Sequence, residues 1–318
     1  MDDKKPLLSI CIPTYNRSEY LDICLASIVS QKEFNSEDLE LVISDNASID
    51  NTEEIVKKYQ RKHKNIFYSK NKENIRDKNF PLVINSAHGI FRKLCNDTLI
   101  FEDNSIQYLL NLINENIDKR PILFFMSCSN KKMHKDKYIV DNFNSFVKIA
   151  SFWLTWIGGF GIWEDDFKEI EDKFSGCELS LWQTKILLEI VSRKGGGIID
   201  NKQLFINQAV QKKDLSYGLY NVFYKNYLEL YQQYLTKQVL LKKTFFYLRK
   251  HLLFNFFISW IIVFHFDSNK YMISLDENIE KLILNAYHND LYFLHFYVKL
   301  KILILKRNIR KYIKNKIL

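Results

Sequence analysis

Proline is scarce in this chain, with four residues in 318, and no stretch is low in complexity or rich in Pro, Gly and Ser, so a disordered or linker-built protein is excluded. The five cysteines (Cys11, Cys24, Cys95, Cys128 and Cys177) form no C-x-x-C pair, which leaves neither a disulfide framework nor a zinc knuckle. Cysteine used as a small buried hydrophobe in a reducing cytoplasm fits this scatter. The seven histidines show no metal-ligand spacing. No apolar run opens the chain, since Met1 to Lys5 is charged, and no secretory signal is expected. No Gly-x-Gly-x-x-Gly follows the first apolar segment, which argues against a dinucleotide-binding dehydrogenase.

At 47% hydrophobic residues, the chain suffices for one large core, or for a core with a smaller satellite. The net charge of +9 is unevenly placed. Residues 1–215 hold 30 basic against 31 acidic residues, whereas residues 216–318 hold 16 against 6. The excess therefore belongs to the C-terminal third.

Leu7 to Pro13 reads as a strand, followed by a Pro-Thr-Tyr-Asn-Arg turn and a helix over Tyr20 to Ser30. Leu39 to Ser44 is a second strand, closed by Asp45 to Asp50 and followed by an amphipathic helix over Thr52 to His63. A third strand (Asn65 to Ser69), a third helix (Lys78 to His88) and a fourth strand (Ile90 to Cys95) lead into Asn96-Asp97-Thr98. Such alternation predicts a mostly parallel, Rossmann-like sheet covered on both faces. Ligands of such sheets sit at the carboxyl ends of the strands, where the polar motifs at 13–17, 45–50 and 96–98 all fall. Beyond them we expect a strand over Ile122 to Met126, a loop over Asn130 to Asp141, a Gly-aromatic segment over Phe152 to Trp163, and a helix over Leu179 to Arg193. The α/β domain is read as 1–215, and 216–318 as a basic, aromatic-rich helical region.

A sugar nucleotide presents a base edge, a ribose diol and a diphosphate, and each makes its own demand. The base needs an aromatic face and a carboxylate or amide, the ribose a carboxylate or amide, and the diphosphate a divalent cation or fixed positive charge. Tyr15, Asp45, Asn96 and Asp97 are the candidates in that order. Asp50, just before Thr52-Glu53, reads instead as a helix cap.

The stretches SICIPTYNRSEYLDICLASIVSQ, LELVISDNASIDNT and KLCNDT resemble family 2 glycosyltransferases of the GT-A fold, firmly over about residues 7–100 and loosely to about 215. The resemblance implies an inverting enzyme that moves a sugar from a nucleotide-diphosphate donor to a glycan or lipid-linked acceptor, in capsule, lipooligosaccharide or O-antigen synthesis. It makes Pro13, Tyr15, Arg17 and Asp45 nucleotide contacts, Asn96 a ribose contact and Asp97 the ligand of Mn²⁺ or Mg²⁺. The chain departs from the pattern at Cys95 and Asn96, where acids are usual. It departs again at Leu181-Trp182-Gln183-Thr184, the position of the relatives' general base, which holds no carboxylate. Glu178 is the nearest acid and the chosen base, with Asp165 and Asp166 as rivals. The alternative reading is a non-catalytic, nucleotide-sugar-binding member of an envelope-glycan assembly complex.

The glycines and indoles of Trp156 to Trp163 suit either an acceptor platform or core packing, and the loop around His134 either an ordering segment over the diphosphate or a solvated charge run. Leu252 to Phe264 is a 13-residue apolar run, short of the ~20 that span a bilayer, and is read as a buried or interfacial helix. From Lys299 onward basic residues alternate with Leu, Ile and Tyr and no acid occurs. This predicts an amphipathic helix on an anionic membrane surface, with the protein peripheral on the inner face of the cytoplasmic membrane. No nucleic-acid module accompanies the charge, and no nucleic-acid partner is expected.

Overall fold

β1 (Leu8–Thr14) carries Leu, Ile and Cys and is buried along nearly its whole length, as a strand covered on both faces must be. The chain continues through α1 (Ser18–Val29), β2 (Leu39–Asp45), α2 (Thr52–Gln60), β3 (Ile66–Lys70), α3 (Asn79–Asn85) and β4 (Phe91–Leu94). Then come β5 (Leu99–Phe101), α4 (Ser105–Glu115), β6 (Ile122–Phe125), β7 (Lys137–Val140) and α5 (Phe143–Ala150). The first unit closes with β8 (Gly161–Trp163), α6 (Glu164–Lys168), α7 (Trp182–Lys194), β9 (Gly197–Asp200) and β10 (Phe205–Asn207). The computed structural model describes residues 5–127, 135–210, 213–268, 271–273 and 278–317.

The main sheet has the order β3-β2-β1-β4-β8, parallel except for β8, which runs antiparallel to β4. The chain steps outward from β1 to β3 and returns to place β4 on the other side of β1. The gap between the ends of β1 and β4 is therefore the switch point at which open α/β sheets bind ligands. Register brings Thr14 opposite Asp45 and Cys11 opposite Leu94, so the motifs that follow β1, β2 and β4 emerge side by side.

β6, β9 and β7 form a second small sheet, and β5 pairs with β10. Ile10, Ile12, Leu25, Ile28, Leu41, Ile43, Phe91, Leu109 and Trp163 belong to the core that joins α1 and α4 to the main sheet.

Residues 137–140 form an edge strand where the sequence suggested loop, because pairing with β9 overrides a charged, weakly apolar pattern. Residues 128–134, which include Cys128 and His134, lie outside the described residues. β5, β8 and β10 have three residues each, too few for a periodic signal.

The chain divides into two compact units, Met1–Ala209 and Val210–Leu318. The second contains α8 (Tyr227–Thr236), α9 (Lys242–His251), α10 (Ile258–Asp267), α11 (Ile279–Tyr287) and α12 (Phe293–Ile317). Its core includes Leu230, Tyr231, Leu248, Leu252, Phe257, Ile283, Tyr287, Phe296 and Leu300. A π-helical turn over 252–257 joins α9 to α10, so the apolar run is part of one 26-residue helix, Lys242–Asp267. By length and composition that helix could cross a membrane, although a third of its most apolar window is buried within the fold.

Candidate active site

The turn after β1 is stapled to the turn after β2. Asn16 sits at φ +50°, a left-handed conformation that Asn tolerates better than most residues. Its N–H donates to Ser48 Oγ at 2.8 Å, and its side-chain oxygen accepts from the Ile49 N–H at 2.8 Å. Asp50 accepts from the N–H groups of Ser18 (2.9 Å) and Thr52 (3.1 Å), so it serves the first turns of both α1 and α2. Burial pushes its carboxyl up, but these bonds outweigh it and hold the group below the ordinary range. Arg17, between these staples, has its backbone position set by them.

Asp97, 2% exposed, lies in the turn after β4. Its Oδ2 accepts from Thr14 Oγ1 at 2.9 Å and its Oδ1 from Arg17 Nη1 at 3.2 Å. Burial pushes its carboxyl above the ordinary range, while Arg17 and Thr14 pull it the other way. Asp45, fully buried, accepts from the Ser48 N–H at 2.8 Å and from the Tyr68 hydroxyl at 2.7 Å. Burial and the neighbouring carboxylate push the Tyr68 phenol well above its usual range, so it stays a donor. Tyr15, which follows Thr14, is exposed, Pro13 is half-buried, and Asn96 Oδ1 is buried without a partner.

An amide network extends the crevice toward β3. Asn46 donates to Asn74 at 2.7 Å, Asn71 donates to Asn46 and Asn79, and Ser44 donates to Asn79 at 2.6 Å. Asp77 follows in the same loop; burial raises its carboxyl, against a hydrogen bond from Ser180. Tyr68, Thr14 and Asp77 are the residues here that sequence reasoning missed. Tyr68 sits in a stretch that reads as a strand, Thr14 reads as part of a turn, and Asp77 falls between the third strand and the third helix, where no motif marks it.

The base candidates separate by topology. β8 runs antiparallel to β4, so residues just after β8 lie at the opposite end of the sheet from Asp97. Asp165 pairs there with Arg120, Asp166 with Lys194 at 2.6 Å, and Glu164 with Lys5, which precedes β1. Neither rival aspartate faces the crevice. Glu178 is exposed and accepts from the Gly176 N–H at 3.1 Å, in the turn whose Ser180 reaches Asp77. Gln183 is 3% exposed; its Nε2 donates to Thr155 O at 2.5 Å and its Oε1 has no partner.

Residues just before β8 lie at the crevice end, where Leu94 N–H donates to Phe160 O at 3.1 Å. A Cβ on Gly158 would come within 2.6 Å of the Trp156 ring, so glycine lets that half-buried indole fold over the backbone. Trp163 is core, with its ring N–H on Pro121 O at 2.6 Å.

Among the described residues no three His, Cys, Asp or Glu come together. Cys95 is buried, with its thiol turned to Asn96 O at 3.3 Å. What remains is one carboxylate, Asp97, preceded in sequence by Asn96 with its unsatisfied amide oxygen. A divalent cation held through one or two carboxylates, substrate phosphates and water fits such a pair.

The sequence profile described as "Glycosyl transferase family 2" matches residues 9–149, the segment that builds this crevice. These residues are a family 2 glycosyltransferase domain. The chain is 46% identical over 85 residues to the abequosyltransferase RfbV of Salmonella typhimurium, covering 26% of this chain and 25% of that one. It is 49% identical over 55 residues to the chondroitin synthase of Pasteurella multocida, covering 17% of this chain and 6% of the synthase. The chain thus spans about a quarter or less of the curated relatives it matches. In fold it is similar to S. aureus TarS 1–349 in complex with UDP, with a TM-score of 0.58 at 16% identity over 92% of this chain and 88% of that one. The mannosyltransferase PcManGT of Pyrobaculum calidifontis, in complex with GDP-Man and Mn²⁺, gives 0.56 at 12% identity over 95% and 88%. The transferase domain therefore has a GT-A-like architecture, followed by a helical region.

Proposed function

We propose that this chain transfers a sugar from a nucleoside-diphosphate donor to a glycan or lipid-linked acceptor in bacterial capsule, lipooligosaccharide or O-antigen synthesis, with inversion. The observation that carries the reading is the meeting of Asp45, Arg17, Asn96 and Asp97 at one switch point. In this reading Tyr15 offers a face to the base, Asp45 takes its N–H groups, Asn96 meets the ribose and Arg17 meets the diphosphate. Asp97 is the group that would hold Mn²⁺ or Mg²⁺. Such a cation, when bound, neutralises charge on the departing diphosphate. Glu178 is the proposed base that takes the proton of the acceptor hydroxyl; it shares its turn with Ser180, whose hydrogen bond opposes the rise that burial gives the Asp77 carboxyl.

TarS was solved with UDP and PcManGT with GDP-Man, so the donor panel must span uridine and guanosine sugars as well as CDP and dTDP sugars. Purified protein with Mn²⁺ is expected to release nucleoside diphosphate from one of them, and Asp97→Ala to lower that rate about 100-fold or more. Silence across the panel would favour the non-catalytic binding member instead. Full activity in both Asp97→Ala and Asp45→Ala would overturn the site.

The membrane part of the proposal rests on α12. Leu294, Val298, Ile302, Leu305, Ile309 and Ile313 recur every three or four residues, and each is about half exposed or more. Lys299, Lys301, Lys306, Arg307, Arg310 and Lys311 accompany this stripe, a composition matched to an anionic lipid surface and a peripheral place on the cytoplasmic membrane.

A further inference from the structure

Asp97 is not waiting with open coordination sites. Both of its oxygens are engaged, one by the Thr14 hydroxyl and one by Arg17, and its side chain is 3% exposed against 41% for Arg17. A buried carboxylate stripped of its partner is costly, so the guanidinium is the cation that makes the ligand-free site tolerable. A divalent ion cannot simply join this pair, because two cations a few ångströms apart in a shielded site repel strongly. Arg17, meanwhile, meets Asp97 through Nη1 alone, which leaves the other N–H groups of its fork for an anion. Its backbone stays fixed by the staples from Asn16, Ser48 and Asp50 while its side chain is free to re-aim.

We propose that Arg17 is a resident placeholder cation on Asp97, drawn away by the donor's diphosphate, so that divalent metal binds this chain appreciably only after the donor. This rests on the functional reading above, in which Asp97 is the metal ligand. The diphosphate offers Arg17 two oxygens in place of one and more charge than a single carboxylate. Once Arg17 turns to it, Asp97 regains an unpaired charge, and a buried carboxylate oxygen of that kind has affinity for a hard divalent ion; Asn96, the preceding residue, has an unsatisfied side-chain oxygen of its own. By reciprocity the metal then tightens the donor by the same factor.

The experiment is a Mn²⁺ titration without nucleotide at pH 8, where proton competition at Asp97 is smallest, read from the electron paramagnetic resonance signal of free Mn²⁺. Wild type, Arg17→Met, Arg17→Gln and the double variant Arg17→Met/Asp97→Asn are compared, with circular dichroism to check folding. Removing the placeholder is expected to tighten Mn²⁺ about tenfold or more in either single variant. Calorimetry with UDP and GDP should show that Mn²⁺ strengthens nucleotide binding less in Arg17→Met than in wild type. If the single variants bind Mn²⁺ no better than wild type while the double variant loses it, the placeholder role is overturned and the metal assignment stands. If the double variant binds Mn²⁺ as tightly as Arg17→Met, Asp97 is not the ligand, and both the inference and the site reading fall.

Discussion

Tyr68 shows how much of the site depends on a side chain that no motif contains. Its hydroxyl and the Ser48 N–H take the two oxygens of Asp45, fixing the plane of a fully buried carboxylate. Tyr68→Phe removes one charge-assisted bond, worth about 1.5–3 kcal/mol. The expected outcome is a donor KM raised roughly tenfold with kcat nearly unchanged, because the loss falls on binding rather than on the reacting centre. Initial-rate kinetics at varied donor concentration check this. Lys93 is a second buried charge, in β4, with its Nζ on the carbonyls of Leu94 and Gly158 and near the rings of Phe125 and Phe205. Burial pushes its pKa down to about 8. Because the folded state binds this proton more weakly than the unfolded one, the charged form penalises folding below about pH 8. That penalty is relieved as pH rises toward the unfolded value of about 10.4. Wild type should therefore gain on Lys93→Met by up to about 3 kcal/mol between those limits; urea melts at several pH values test it, and a flat difference would refute it.

Among the elements, α7 ends where the sequence says it must. Gly195 follows it at φ +85°, with the Gly195 N–H on Val191 O at 2.8 Å. The nearest atom to an added Cβ is Asp141 O at 3.4 Å, so the space exists and only the backbone conformation objects. Gly195→Ala should cost about 1 kcal/mol. In thermal unfolding this is a fall of roughly 2–4 °C. The parallel strands were equally legible, since β1 and β2 are long apolar runs closed by polar turns. The short strands were not: β8 is three residues whose antiparallel pairing depends on where β4 already lies. That pairing carries Asp165 and Asp166 to the far end of the sheet, which spacing along the chain could not reveal.

For the molecule as a whole, the basic third is the feature with a test of its own. Ile302→Glu with Ile309→Glu places charge in the exposed stripe of α12 without entering its buried face at Phe296 and Leu300. Sedimentation with phosphatidylglycerol vesicles should show binding by wild type, weakened about tenfold or more by the double variant and by raised salt. Equal sedimentation of both proteins would remove α12 from the interface.

Strand and helix periods, the polar strand ends and the matched motifs placed Asp45, Asn96, Asp97 and the switch-point crevice from sequence alone. These signals are local, and the βαβ rule converts them into one site. Tertiary structure decided the remainder: that Arg17 and Thr14 hold Asp97, that Tyr68 holds Asp45, that Trp163 is core while Trp156 lies at the crevice end, and which acids face away. Each of these is a contact between residues far apart in sequence, set by strand order and register, and no period or spacing encodes such a pairing.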